Sequence, residues 1–155
     1  MKTLVSILTV LILVVFSSCD KSRIFDSNKD FKNETWNKDS VLIFNIDIND
    51  TIGIYNLFIN TRISGNYKYS NMYLFIDTEL PDKKIIRDTL ECILFDYNGK
   101  HLGKGFGSVW SNKIPYRIHT RFPYKGNYKF TIEQAMRTDN LENVVSAGLR
   151  IEKAK

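Results

Sequence analysis

The side chains with the types and spacing to do chemistry fall into a few short clusters. The first is Phe16-Ser17-Ser18-Cys19, which closes an apolar run from Leu4 to Phe16 that only Ser6 and Thr9 interrupt and that Lys2 precedes. Small residues ahead of a cysteine are the pattern a lipoprotein signal peptidase cuts, leaving the cysteine as an acylated N-terminus. The run is shorter than the roughly 20 apolar residues a spanning helix needs, and a plain secretory leader has no use for a cysteine at the cut. Residue −3 is Phe16, where an aliphatic residue is commoner. Each buried methylene contributes about 0.8 kcal/mol and stable anchoring takes more than one chain, so a diacylated or triacylated Cys19 is a sufficient membrane anchor. Residues 1–18 are then a leader that is removed.

The second cluster is Arg117, His119 and Arg121. Strict alternation would set all three on one face of a strand, a basic strip suited to an acidic partner or an anionic glycan, or simply a solvated strand face. His101 and Asp96 bracket Asn98-Gly99 and would face each other across a hairpin, yet a dyad still needs a nucleophile and a pocket. No serine has a nucleophile-elbow context, and neither histidine has zinc-ligand spacing. Gly103-Lys104-Gly105-Phe106-Gly107 is glycine-rich, but it lacks the strand–loop–helix setting of a phosphate cradle and reads better as a strand bend or bulge. Asp77, Glu79 and Asp82 offer oxygen ligands without calcium-loop spacing. Cys92 lies in Leu90-Glu91-Cys92-Ile93-Leu94 with no basic neighbour to activate it, which points to a buried, inert thiol. No catalytic constellation, metal site or cofactor motif emerges.

The elements that must position these residues are strands. Leu42, Phe44, Ile46 and Ile48 alternate with polar residues, as do Tyr55, Leu57, Ile59 and Ile63, and later Tyr128, Phe130 and Ile132. Period-two alternation of this length means half-buried strands. Met72 to Ile76 is apolar on both faces, as in a central strand. Leu90, Cys92 and Leu94 form another strand, and Asn98-Gly99 turns the chain back so that 100–105 return antiparallel. Tyr116, Ile118, Thr120 and Phe122 alternate with the basic strip, and Val145, Ala147, Leu149 and Ile151 form the final strand. The only helical candidate is the short stretch 133–142. About eight strands with turn signals every ten to fifteen residues predict an all-β fold, an antiparallel β-sandwich of jelly-roll type.

Residues 19–155, roughly 137 in all, suit one domain. The segment 19–40 is polar and reads as the lipidated cysteine and a tether, part of which packs on the domain through Ile24, Phe25, Phe31 and Trp36. The sandwich itself is expected over 41–155. Removing Lys2 with the leader lowers the formal charge from +5 to +4. No block of like charge suggests nucleic acid as a partner. If Cys19 is acylated, Cys92 stands alone and no disulfide framework exists.

Several strings in order resemble the GldH gliding-motility lipoprotein family of the Bacteroidota. They are the lipobox at Cys19, then Phe31 and Trp36, Tyr55-Asn56-Leu57, and Tyr69-Ser70-Asn71-Met72-Tyr73-Leu74-Phe75. They continue with Asp88-Thr89-Leu90-Glu91-Cys92, Asn98-Gly99 into Leu102-Gly103-Lys104-Gly105, and Gln134-Ala135-Met136-Arg137, and end with Gly148 to Lys153. The resemblance implies a cell-envelope lipoprotein needed for gliding, with no enzyme activity or cofactor. It implies as partners the membrane, through the N-terminal lipid, and other gliding-motility or type IX secretion envelope proteins. Surface export in that phylum goes with an acidic run after the cysteine. Here Asp20 is followed by Lys21-Ser22-Arg23, so the expectation is an outer-membrane lipoprotein facing the periplasm. The competing expectation is an envelope-displayed glycan-binding sandwich, with Trp36, Trp110, Tyr69 and Tyr73 as stacking platforms.

Overall fold

A computed structural model describes residues 22–154. The leader and Cys19 lie outside the described residues. Eleven strands run β1 (Arg23–Asp30), β2 (Thr35–Asn37), β3 (Leu42–Ile48), β4 (Tyr55–Ser64), β5 (Asn71–Glu79), β6 (Ile85–Ile93), β7 (Lys104–Phe106), β8 (Val109–Thr120), β9 (Gly126–Gln134), β10 (Asn140–Glu142) and β11 (Val144–Lys153). They form one sheet in the order β1-β11-β4-β8-β7, a second in the order β3-β9-β5-β6, and a two-stranded ribbon of β2 and β10. Every pairing is antiparallel. Among the described residues no helix is long and apolar enough to cross a membrane.

The alternating residues meet between the two sheets, as an antiparallel sandwich requires. Leu57, Ile59 and Ile63 of β4 and Ala147, Leu149 and Ile151 of β11 bury against Phe44, Ile46, Met72, Leu74, Ile76, Phe130 and Ile132 of the other sheet. β5 is an interior strand, as its two-sided apolar run predicts. Its outward Phe75 is covered by the Arg87 guanidinium, 5.3 Å from the ring centroid. Trp36 pairs with Leu141 across the small ribbon. It stacks on Phe31 at 4.7 Å and donates its indole N–H to the Ser40 carbonyl at 2.8 Å.

Three expectations change. The segment 19–40 is not mainly a tether from Arg23 onward. Arg23–Asp30 is an edge strand along β11, and Thr35–Asn37 pairs with β10. Its polar sequence suits a sheet edge, where charge discourages further pairing, and Phe25 alone points deep, edge-on to Phe44 at 6.0 Å. The stretch 133–142 is not helical. β9 continues to Gln134, whose buried amide donates to the Thr138 carbonyl and accepts from the Met136 N–H, both at 2.8 Å, and so closes a turn. The return after Asn98-Gly99 is also short. Phe95 and His101 form a single bridge, and the chain then leaves to pair β7 with β8.

Candidate functional site

The basic strip does not survive as a strip. Along β8 the pairing with β4 slips twice: Tyr55 opposes Thr120, Leu57 opposes Arg117, and Phe58 opposes Pro115. Each slip inserts an extra residue on β8. A bulge re-aims the side chains that follow it, so Ile118 becomes exposed and Arg117 turns half inward. Arg117 then donates from Nη2 to Asp88 Oδ2 of β6 at 2.5 Å, and the Tyr116 hydroxyl donates to the same oxygen at 2.5 Å. This trio stitches the edge of one sheet to the edge of the other. Burial by itself would raise the Asp88 carboxyl, but the bonds from Tyr116 and Arg117 outweigh it and hold the group below its ordinary range. Burial, with the Asp88 contact, pushes the Tyr116 phenol up to about 12.

His119 sits in the left-handed region at φ 51°, and its backbone N–H donates to Asn56 Oδ1 at 2.9 Å. Its side chain is exposed, as is that of Arg121. Arg117 and Arg121 both border a cavity of about 120 Å³ walled by Leu57, Leu80, Phe122 and Phe130. The structure thus brings two of the three predicted residues together at the mouth of a small apolar pocket and sets His119 apart. Asp88 is the residue sequence reasoning missed. It shares strand parity with Leu90 and Cys92, so an inward acid in need of a partner was legible there.

The other candidates resolve into structural roles. Asp96 accepts from the Asn98 and Lys100 N–H groups at 2.9 Å and shapes the turn. His101 stacks on the Trp110 indole, centroids 3.8 Å apart, and burial lowers its pKa. The two therefore form no dyad. Gly103 and Gly105 let other side chains come close: a Cβ at Gly105 would lie 2.9 Å from the Trp110 indole nitrogen, and one at Gly103 only 2.5 Å from Asn112 Oδ1. Asp77 forms a two-pronged pair with Arg87 at 2.6 and 2.7 Å. Glu79 binds Lys129 at 2.5 Å and Lys83 at 3.1 Å. These carboxylates face cations already in place, and among the described residues no three His, Cys, Asp or Glu groups gather as metal ligands. Cys92 is fully buried, and burial pushes its thiol up to about 12. Of the four aromatics suited to sugar stacking, Trp36 is buried and Trp110 lies under His101, while Tyr69 and Tyr73 remain open.

One further recess, an open cleft of about 790 Å³ along β8, has mixed walls: Asn60, Arg62, Glu91, Lys104 and Asn112 alternate there with Ile93, Leu102 and Ile114. Asn112 Nδ2 and Thr61 Oγ1 are buried there without a hydrogen-bond partner among the described residues.

Residues 23–151, which hold nearly all of this scaffold, match the family model described as GldH lipoprotein. The chain belongs to the GldH lipoprotein family. Among its relatives is a gliding motility lipoprotein GldH homolog of Christiangramia forsetii, 40% identical over 149 residues that cover 92% of this chain and 91% of that one. Another is the gliding motility lipoprotein GldH of Flavobacterium johnsoniae, 35% identical over 150 residues, covering 92% of each chain. The similarity extends over strands of both sheets, so the family match and the sandwich describe one unit of chain.

Proposed function

We propose that this chain is a lipid-anchored, non-enzymatic structural or assembly component of the gliding-motility machinery. Acylated Cys19, exposed by removal of residues 1–18, holds it on the periplasmic side of the outer membrane. It needs no cofactor there and meets other gliding-motility or type IX secretion envelope proteins through the faces and edges of the sandwich. The observation that carries a non-enzymatic role is the use made of the reactive side chains: Asp96 shapes a turn, His101 lies on an indole, Asp88 joins two strands and Cys92 is locked in the core. Membership of the GldH lipoprotein family and the names of the two relatives supply the motility role. Of the basic strip, His119 and Arg121 remain open to an anionic partner, while Arg117 serves the fold.

The same proposal reads the sandwich as a jelly roll. Its eight long strands lie in the orders β1-β11-β4-β8 and β3-β9-β5-β6, and the chain crosses repeatedly between the sheets, which is how two Greek keys fill such a fold.

The experiment is deletion of the gene in a gliding species, followed by complementation. Colony spreading is lost on deletion, restored by the full chain and not restored by Cys19→Ala. Normal spreading of the deletion strain overturns the role in gliding, and full rescue by Cys19→Ala overturns the anchor.

A further inference from the structure

The described chain enters the sandwich at one particular end. β1 starts at Arg23, opposite Glu152 near the close of β11. The same end carries three connections: 49–54 between β3 and β4, 80–84 between β5 and β6, and 121–125 between β8 and β9. They are packed into one surface. Lys153 Nζ reaches Asp50 Oδ2 at 3.3 Å, and the Ala154 N–H donates to the Ile54 carbonyl at 2.8 Å. The Phe122 ring lies edge-on to Tyr55 at 5.2 Å, and Gly126 abuts Pro81.

The chemistry of this surface is distinctive. Ile52 is 83% exposed at the tip of one loop and Tyr124 49% exposed on another, with Ile24 and Ile85 also open nearby. The three loops hold Lys83, Lys84, Arg121 and Lys125 against only Asp50 and Asp82. Both acids are engaged locally: Asp50 accepts from the Ile52 and Gly53 N–H groups, and Asp82 from that of Lys84. Lys84, Arg121 and Lys125 form no ion pair among the described residues. The connections at the opposite end hold five cations against four anions, a smaller excess. Apolar and aromatic tips set among unpaired cations are what sits stably at the headgroup level of an anionic bilayer.

We infer that this end of the sandwich docks on an anionic phospholipid surface, with Ile52 and Tyr124 at the headgroup boundary and Lys84, Arg121 and Lys125 on phosphates. The inference rests on the proposed acylation of Cys19. Four residue steps from Cys19 to Arg23 reach at most about 14 Å when fully extended. The opposite end, with Tyr97 97% and Phe106 93% exposed, lies a ten-residue strand farther away, roughly 34 Å. A tether of that length cannot set the far end on the membrane with the near end raised away from it. The docked end converts a single-point anchor into a fixed orientation, with Phe106 and Tyr97 directed into the compartment.

The test uses the full acylated chain, reconstituted in vesicles of phosphatidylglycerol and phosphatidylcholine. A thiol-reactive fluorophore is placed at Ile52→Cys or at Phe106→Cys. Cys92 is buried and does not label, and the Cys19 sulfur is blocked by its lipid. A lipid nitroxide near the headgroup quenches the probe at position 52 several-fold more than the probe at 106, and quenching at 52 weakens on vesicles of phosphatidylcholine alone. Equal or reversed quenching of the two probes overturns the docking, and equal quenching at 52 on neutral vesicles overturns the anionic assignment. Intact mass reads the acyl chains independently. An acylated chain unquenched at 52 overturns the docking alone, whereas a chain without acyl mass overturns the anchor as well.

Discussion

Replacing Asp88 with Asn isolates the stitch between the two sheet edges. The carboxylate accepts from the Tyr116 hydroxyl and the Arg117 guanidinium. A hydrogen bond to an ionised group contributes about 1.5–3 kcal/mol. The Arg117 and Asp88 side chains are 36% and 34% exposed, so solvent screening moves the ionic part toward the ~0–1 kcal/mol of a surface pair. The amide oxygen of the asparagine still accepts from Tyr116. Asp88→Asn therefore costs about 1–2 kcal/mol at neutral pH, or roughly 4–8 °C in Tm for a domain of this size. The pH dependence follows from the sign of the shift. The folded carboxyl titrates below its ordinary 3.8, so its contribution is complete above that value and is lost as pH falls through the folded pKa. Urea unfolding of both proteins from pH 7 down to acid measures the gap, which narrows below about pH 4 and then closes. A gap under about 0.3 kcal/mol at pH 7, or one that widens toward acid, refutes the stitch, because distant independent changes already agree only to that precision.

Two further substitutions probe the same scaffold. Gly148→Ala would place a Cβ 2.2 Å from the Ser27 carbonyl oxygen and 2.8 Å from the Asn28 Cα. Backbone cannot yield as a flexible side chain does, so the variant loses about 3 kcal/mol by denaturant titration and frees β1 to exchange its amide protons; wild-type stability would mean that β1 does not lie on β11. Cys92, with its thiol pushed up to about 12 by burial, stays inert to a thiol reagent at pH 8 in the folded protein and reacts on unfolding. Rapid native labelling would show that β6 does not turn this residue inward.

The clearest strands were legible because each buries one face continuously. Leu42 to Ile48, Tyr55 to Ile63 and Tyr128 to Ile132 fall where alternation puts them. Arg23–Asp30 was not, because an edge strand with one deep apolar residue lacks the alternation that a half-buried strand shows. The basic strip was misjudged for a different reason. Period two holds only while the register is constant, and two bulges around Tyr116 to His119 break it. A bulge depends on the partner strand, here Tyr55 to Phe58, and one strand read alone carries no mark of it. Gln134 shows the complementary limit, since Gln134-Ala135-Met136-Arg137 has good helix formers but a buried amide binding its own turn wins.

Taking β1 into the sheet changes what an anchor at Cys19 would do. A free tether over 19–40 would let the domain range as far as about 75 Å from its lipid. With Arg23 paired to Glu152, the reach from Cys19 to the sheet falls to about 14 Å. A partner in the envelope would then meet the sandwich close to the bilayer and in a narrow range of orientations. Restricting orientation lowers the entropy that association must overcome, so short-tethered docking favours assembly with components that share the membrane over those free in the compartment. Inserting a flexible glycine–serine spacer between Lys21 and Ser22, ahead of the Ser22 carbonyl that accepts from the Lys153 N–H at 2.8 Å, leaves the fold and the acylation intact yet weakens colony spreading. Undiminished spreading with such a spacer would show that the position of the domain over the membrane contributes nothing to its role.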